Sequence, residues 1–178
     1  MNALDARLLL FVQDALRVPP LDALFVFLDD FKRSGLLLIP AVVALLLRGG
    51  ARARRVVLYA LLAAALTDAT ASRLIKPWVA RPRPFVTLAA DHPLMGAGGY
   101  SFPSGHAANS FAVCVLLGLC YRRWLMALLG FAATIAFSRV YVGVHYPSDA
   151  LAGAALGTAI GLLVHRLFER RERLGGQA

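Results

Sequence analysis

The sequence predicts an all-α protein: a polytopic transmembrane bundle of about five to six spanning helices with short interfacial N-terminal helices. Three observations predict it. Of the 178 residues 59% are hydrophobic and 16% charged, with a mean hydropathy of +0.66. The apolar residues come in nearly uncharged blocks, where a soluble core would show one-sided periodicity. Arginines gather between those blocks. The chain reads as a single domain, 1–178, with amphipathic helices over 1–34, a transmembrane core over 35–168 and a cytoplasmic tail over 169–178.

At the N-terminus, NALDARLLLFVQDALR and LDALFVFLDDFKR form two short amphipathic helices broken at Pro19–Pro20. They either lie in the membrane interface or make a partial crossing. The apolar core LLLFV is too short for a signal peptide, and no small-residue cleavage site follows it, so no cleavable leader is expected. Five blocks come next, over 36–47, 56–66, 110–120, 124–137 and 150–164. A helical crossing takes about 20 residues, which most blocks reach with their flanks. The first is short and needs tilt or a neighbour.

The net charge of +9 follows from the connections. Arg48, Arg52, Arg54 and Arg55 lie in one, Arg122 and Arg123 in another, and Arg166, Arg170, Arg171 and Arg173 near the C-terminus. With one crossing per block these fall on one side, which the positive-inside rule makes cytoplasmic. An inner-membrane location accounts for the charge without nucleic acid. Cys114 and Cys120, six apart in one helix, face different ways and pack as small hydrophobes, not as a disulfide or metal site.

The remaining loops, 76–104 and 139–149, emerge on the outer face. Cations there run against the topology rule, so Lys76, Arg81, Arg83 and Arg139 call for an anionic ligand. In KPWVARPRP, prolines stiffen the backbone that carries Lys76 and Arg83. In FPSGHAANS, Ser104 stands at an N-cap and Gly105 permits close approach of an anion to the helix start. His106 follows in the first turn. In SRVYVGVHYPSD, Asp149 begins the last helix four residues after His145, where a carboxylate fixes the imidazole tautomer. Each segment alone also reads as ordinary structure: snorkelling cations, a capped helix, an incidental cap. Together they supply cations, two histidines, a carboxylate and a helix N-terminus, the inventory of phosphoryl transfer.

The three segments resemble the tripartite signature of the type 2 phosphatidic acid phosphatase (PAP2) family, K-x6-R-P, P-S-G-H and S-R-x5-H-x3-D. Lys76 to Arg83-Pro84, Pro103-Ser104-Gly105-His106, and Ser138-Arg139, His145 and Asp149 match every fixed position. The resemblance implies an integral membrane lipid phosphatase. Lys76, Arg83 and Arg139 would clamp phosphate, with hydrogen bonds from Ser104 and Gly105. His145 would be the nucleophile, Asp149 would orient it, and His106 would serve as acid and then base. No metal or other cofactor is implied, and no carboxylate cluster adjoins the motifs. The partners implied are a lipid phosphate or diphosphate and membrane lipids.

Among bacterial members, the short chain leans towards undecaprenyl diphosphate, with phosphatidylglycerophosphate, phosphatidate or lipid A phosphate as alternatives and the site facing the periplasm. A non-catalytic lipid-binding or transport protein is a further alternative, and a haloperoxidase-like vanadate site is disfavoured by the multi-span hydropathy. Arg81 lies outside the signature and reads as an exposed loop cation, with contact to a second phosphate or headgroup as the other option. His92 reads as a loop residue. Asp68 and Arg73, poorly placed to share a helix face, are expected to find an interhelical partner, and Trp78 and Tyr100 suit the interfacial belt.

Overall fold

The computed structural model describes residues 3–29, 42–88, 94 and 96–175. The elements among these described residues are all helical. Helix α1 (Ala3–Leu16) and α2 (Pro19–Asp29) come first, and residues 42–48 are helical. Helix α3 (Gly50–Asp68) runs on through a π-helical segment, Ala69–Ile75, into the turn Lys76–Val79. The turn α4 (Pro84–Thr87), α5 (Gly105–Cys120), α6 (Leu125–Tyr141) and α7 (Pro147–Gly175) complete the order. The first half of the 36–47 block, residues 36–41, and His92 lie outside the described residues.

The stretches Gly50–Thr87, Arg122–Tyr141 and Pro147–Leu174 are long and apolar enough to cross a bilayer. Helix α5, at 16 residues, spans about 24 Å at 1.5 Å per residue. That is short of a hydrocarbon core of about 30 Å. Leu58, Leu61, Met126, Leu151 and Leu163 face outwards from these helices, as lipid contact requires. The chain is a multi-pass membrane protein.

The ends of the bundle are distinguishable. Arg55, early in α3, pairs with Glu172 in α7 at 2.7 Å, and Cys120 at the end of α5 lies 3.7 Å from His165 Nδ1. The arginine-rich connections therefore meet at one end. The signature residues lie at the other.

The tightest packing joins α5 to α7. A Cβ added at Gly153 would come within 2.4 Å of the Ser104 carbonyl, at Gly157 within 2.0 Å of the Ala108 carbonyl, and at Gly161 within 2.6 Å of the Ala112 carbonyl. Glycine every fourth residue lets the two backbones touch, the small-residue mode of helix association in membranes. Further along the seam, Ala112 and Leu116 of α5 pack with Ala63 of α3 and Val164 of α7.

The N-terminal helices break where Pro19–Pro20 predicts, and they pack at the signature end. Leu9 of α1 joins Ala136, Val140 and Tyr146 in one buried cluster. Phe25 of α2 stacks on Tyr141 with ring centroids 4.6 Å apart. The Tyr141 hydroxyl lies 2.7 Å from Asp22 Oδ1 and accepts from Val18 N at 3.1 Å, pinning the α1–α2 junction to the end of α6.

Replacing Gly157 with leucine is expected to overpack the α5–α7 seam and destabilise the protein by about 1–3 kcal/mol. The readout is a lower thermal-unfolding midpoint in detergent. Gly130, whose added Cβ meets nothing within 4 Å, is the control, and Gly130→Leu is expected to leave that midpoint in place.

Candidate active site

The first cations are delivered by the end of α3. In the π-helical segment the Lys76 N–H bonds back to the Ala71 carbonyl, five residues earlier. Asp68, Ser72 and Lys76, four residues apart along this stretch, line one cleft wall. Ala80 then takes a left-handed conformation, φ 47°, and ends the helix. The backbone that follows is extended at Arg83, φ −77° and ψ 156°, as its flanking prolines favour.

Arg83 is buried, and carbonyls hold its fork in place. Its Nε donates to the Gly99 carbonyl at 3.0 Å, Nη2 to that of Gly98 at 2.8 Å and Nη1 to that of Val144 at 2.9 Å. Nη1 also lies 3.3 Å from His145 Nε2. A guanidinium only donates, so Nε2 is the acceptor and the neutral ring carries its proton on Nδ1. Nδ1 in turn faces Ser101 Oγ at 3.4 Å and Asp149 Oδ2 at 3.6 Å.

The route from Arg139 to His145 is short and fixed. The Arg139 carbonyl accepts from the N–H groups of both Val144 and His145, at 3.2 Å each, closing the end of α6. Gly143 makes the reversal with φ 83°, a conformation that glycine adopts without a Cβ penalty. Helix α7 starts two residues after His145, so Asp149 stands in its first turn.

Lys76, Arg83, Gly105, His106, Arg139 and His145 line one cleft of about 360 Å3, with Asp68, Ser72, Gly96, Ala97 and Asn109. Two candidate residues stand behind it. Ser104 is buried and caps α5, accepting from Ala107 N at 3.5 Å. Asp149 is fully buried below His145.

Two expectations need correction. Arg81 is not an exposed loop cation: it donates to Asp149 Oδ1 at 2.6 Å and Asp5 Oδ2 at 2.7 Å, and its guanidinium lies 4.0 Å from the Tyr146 ring centroid. The left-handed turn at Ala80 precedes it, and two buried carboxylates hold it. Asp68 takes a partner within its own helix, the Ser72 hydroxyl four residues on, at 3.0 Å, while Arg73 is exposed, so neither needs a partner on another helix.

Ser101 and Asp5 carried no signal in the motifs. Ser101 donates to Asp149 Oδ2 through a very short hydrogen bond, and the Tyr146 N–H reaches the same oxygen at 2.9 Å. The one available hint for the helix seam was the Gly153-x3-Gly157-x3-Gly161 spacing.

A family model described as the PAP2 superfamily matches residues 55–173. The chain belongs to the PAP2 superfamily. The Lipid A 4'-phosphatase of Bacteroides thetaiotaomicron is 43% identical over 79 residues, covering 41% of this PAP2 chain and 35% of that protein. The match therefore spans about a third of that relative's length. Undecaprenyl-diphosphatase BcrC of Bacillus subtilis is 31% identical over 149 residues, covering 84% of this chain and 76% of that one. The crystal structure of Aquifex aeolicus LpxE has a TM-score of 0.73 at 27% identity, with 93% of this chain and 96% of that one covered.

Burial pushes the His145 imidazole down to about 4 from its ordinary 6.5, with Asp149 pulling the other way and Arg83 and Arg139 pushing further. The folded-state value is depressed, so the stability the neutral ring contributes is complete above about 6.5 and is lost as pH falls through about 4. Nitrogen-15 NMR of the histidines is expected to show His145 uncharged at pH 5.5. A charged ring there would contradict the assignment.

Proposed function

We propose that this chain is a lipid phosphatase that transfers a phosphoryl group to His145 and then to water. The observation that carries the reading is an unprotonated His145 Nε2 beside Arg83 Nη1, on the wall of a cleft shared with Lys76 and Arg139, with a buried carboxylate on the other side of the ring. Cations around the transferring group stabilise charge on its equatorial oxygens. Gly105 offers the N-terminus of α5 to the same group, and Ser104 holds that turn in place.

In the first step Nε2 attacks phosphorus and the bond to the lipid-side oxygen breaks. His106, on the cleft wall, supplies that oxygen with a proton. In the second step His106 takes a proton from water, whose oxygen attacks phosphorus. The P–N bond breaks, its electron pair returns to Nε2, and phosphate leaves. Asp149 stabilises positive charge on the ring through its Nδ1 side.

The substrate we favour is undecaprenyl diphosphate, cleaved to undecaprenyl phosphate and phosphate. The match to an undecaprenyl-diphosphatase over 84% of this chain supports it. Phosphatidylglycerophosphate, phosphatidate and lipid A phosphates are the competing substrates. The cleft lies at the end of the bundle opposite the arginine-rich connections, which fits an inner-membrane protein with its site on the periplasmic side.

Phosphate release by the purified protein in detergent, measured across these lipids, tests the reading. His145→Ala is expected to lower the rate about a thousandfold or more, and full activity in that variant would sink the mechanism. Activity is expected to survive EDTA, since arginine and lysine form the clamp. Lys76→Ala is expected to raise KM and lower kcat together, as loss of a phosphate contact made before and during transfer requires.

A further inference from the structure

We propose that Asp5 and Arg81 are positioning residues for the Asp149–His145 pair, so that helix α1 completes the active site. The inference rests on the phosphatase reading above. Neither side chain lines the cleft, yet both are drawn inwards, with side-chain exposures of 7% for Asp5, 18% for Arg81 and 0% for Asp149.

The three form one chain of charges. Arg81 Nη2 donates to Asp5 Oδ2 at 2.7 Å and Nη1 to Asp149 Oδ1 at 2.6 Å. Ser148 ties the ends together. Its Oγ accepts from Arg81 Nη1 at 2.7 Å and donates to Asp5 Oδ2, and its N–H donates to Asp5 Oδ1 at 2.9 Å. Asp5 thus caps the start of α7, the helix that carries Asp149. The oxygens of Asp149 divide the work: Oδ1 meets Arg81, and Oδ2 takes Ser101 and the Tyr146 N–H on the His145 side.

Two consequences favour positioning over simple stability. A buried ion pair is weak ground for stability, because desolvation offsets its Coulombic gain. One cation between two carboxylates also leaves a net negative charge. Arg81 therefore fixes the Asp149 rotamer without cancelling the field that Asp149 exerts on the imidazole. Without Asp5, the whole guanidinium would turn to Asp149 and the field at His145 would weaken.

The test measures kcat and KM of the full chain in detergent, with a short-chain phosphatidate and farnesyl diphosphate as probes. Asp5→Asn and Arg81→Ala are expected to lower kcat about 10- to 100-fold with KM little changed. The double variant is expected to lose no more than Arg81→Ala alone, since both act through Asp149. Tyr141→Phe, which loosens the same helices at their other end, is expected to lower the unfolding midpoint and keep kcat. A raised KM with kcat intact would make Arg81 a substrate contact and overturn the proposal. A kcat loss in Tyr141→Phe that tracks its midpoint would overturn it too, as a general effect of undocking. Hydrolysis by wild type with unaltered kcat in both Asp5 and Arg81 variants overturns the positioning role alone. No hydrolysis of either probe or of the wider lipid panel by wild type overturns the phosphatase reading and this role with it.

Discussion

The site depends on the carboxylate of Asp149, a charge held where no water reaches it. Such a group is tolerated only when its lone pairs are taken. Here Arg81, Ser101 and the Tyr146 N–H take them, and the imidazole of His145 lies alongside. Those partners come from the loop after α3, the loop before α5 and the turn before α7. Satisfying one buried charge therefore draws together segments that are far apart in sequence, and the cleft lined by the signature cations lies beside it.

Packing supplies the rest. A glycine stripe lets α7 press on α5 until backbone meets backbone, which sets the level of the Ser104 cap relative to Asp149. The Ser104 N–H donates to the Asp149 carbonyl at 3.0 Å, so two signature segments are joined by main chain as well as by side chains. At the opposite end, Arg55 and Glu172 close the bundle among arginines that face the aqueous side.

Much of this was legible in the sequence where the physics is local. The helix cap at Ser104, the placement of Asp149 one turn from His145, and the break at Pro19–Pro20 follow from neighbours within four residues. That Lys76, Arg83 and Arg139 line one cleft was legible because cations away from the arginine-rich connections of an apolar chain have few other uses. Arg81 was misread because its partners, Asp5 and Ser148, lie 76 and 67 residues away. Asp5 looked like an ordinary acidic residue of an amphipathic helix. The common wall of Asp68, Ser72 and Lys76 has the four-residue spacing of one helix face, but Asp68 and Ser72 lie outside the three signature segments.

The glycine seam also sets how the cleft can change shape. His106 is carried by α5 and His145 is fixed to the start of α7, and those two helices touch through their backbones. Backbone contact of this kind resists relative displacement, so the seam sets the spacing of the two histidines. Helix α3 packs on that pair of helices through side chains such as Ala63, and the wall it supplies ends in a widened π turn and a left-handed residue. The cleft therefore has one side fixed by backbone contact and another carried by a helix whose winding changes just before the arginine loop.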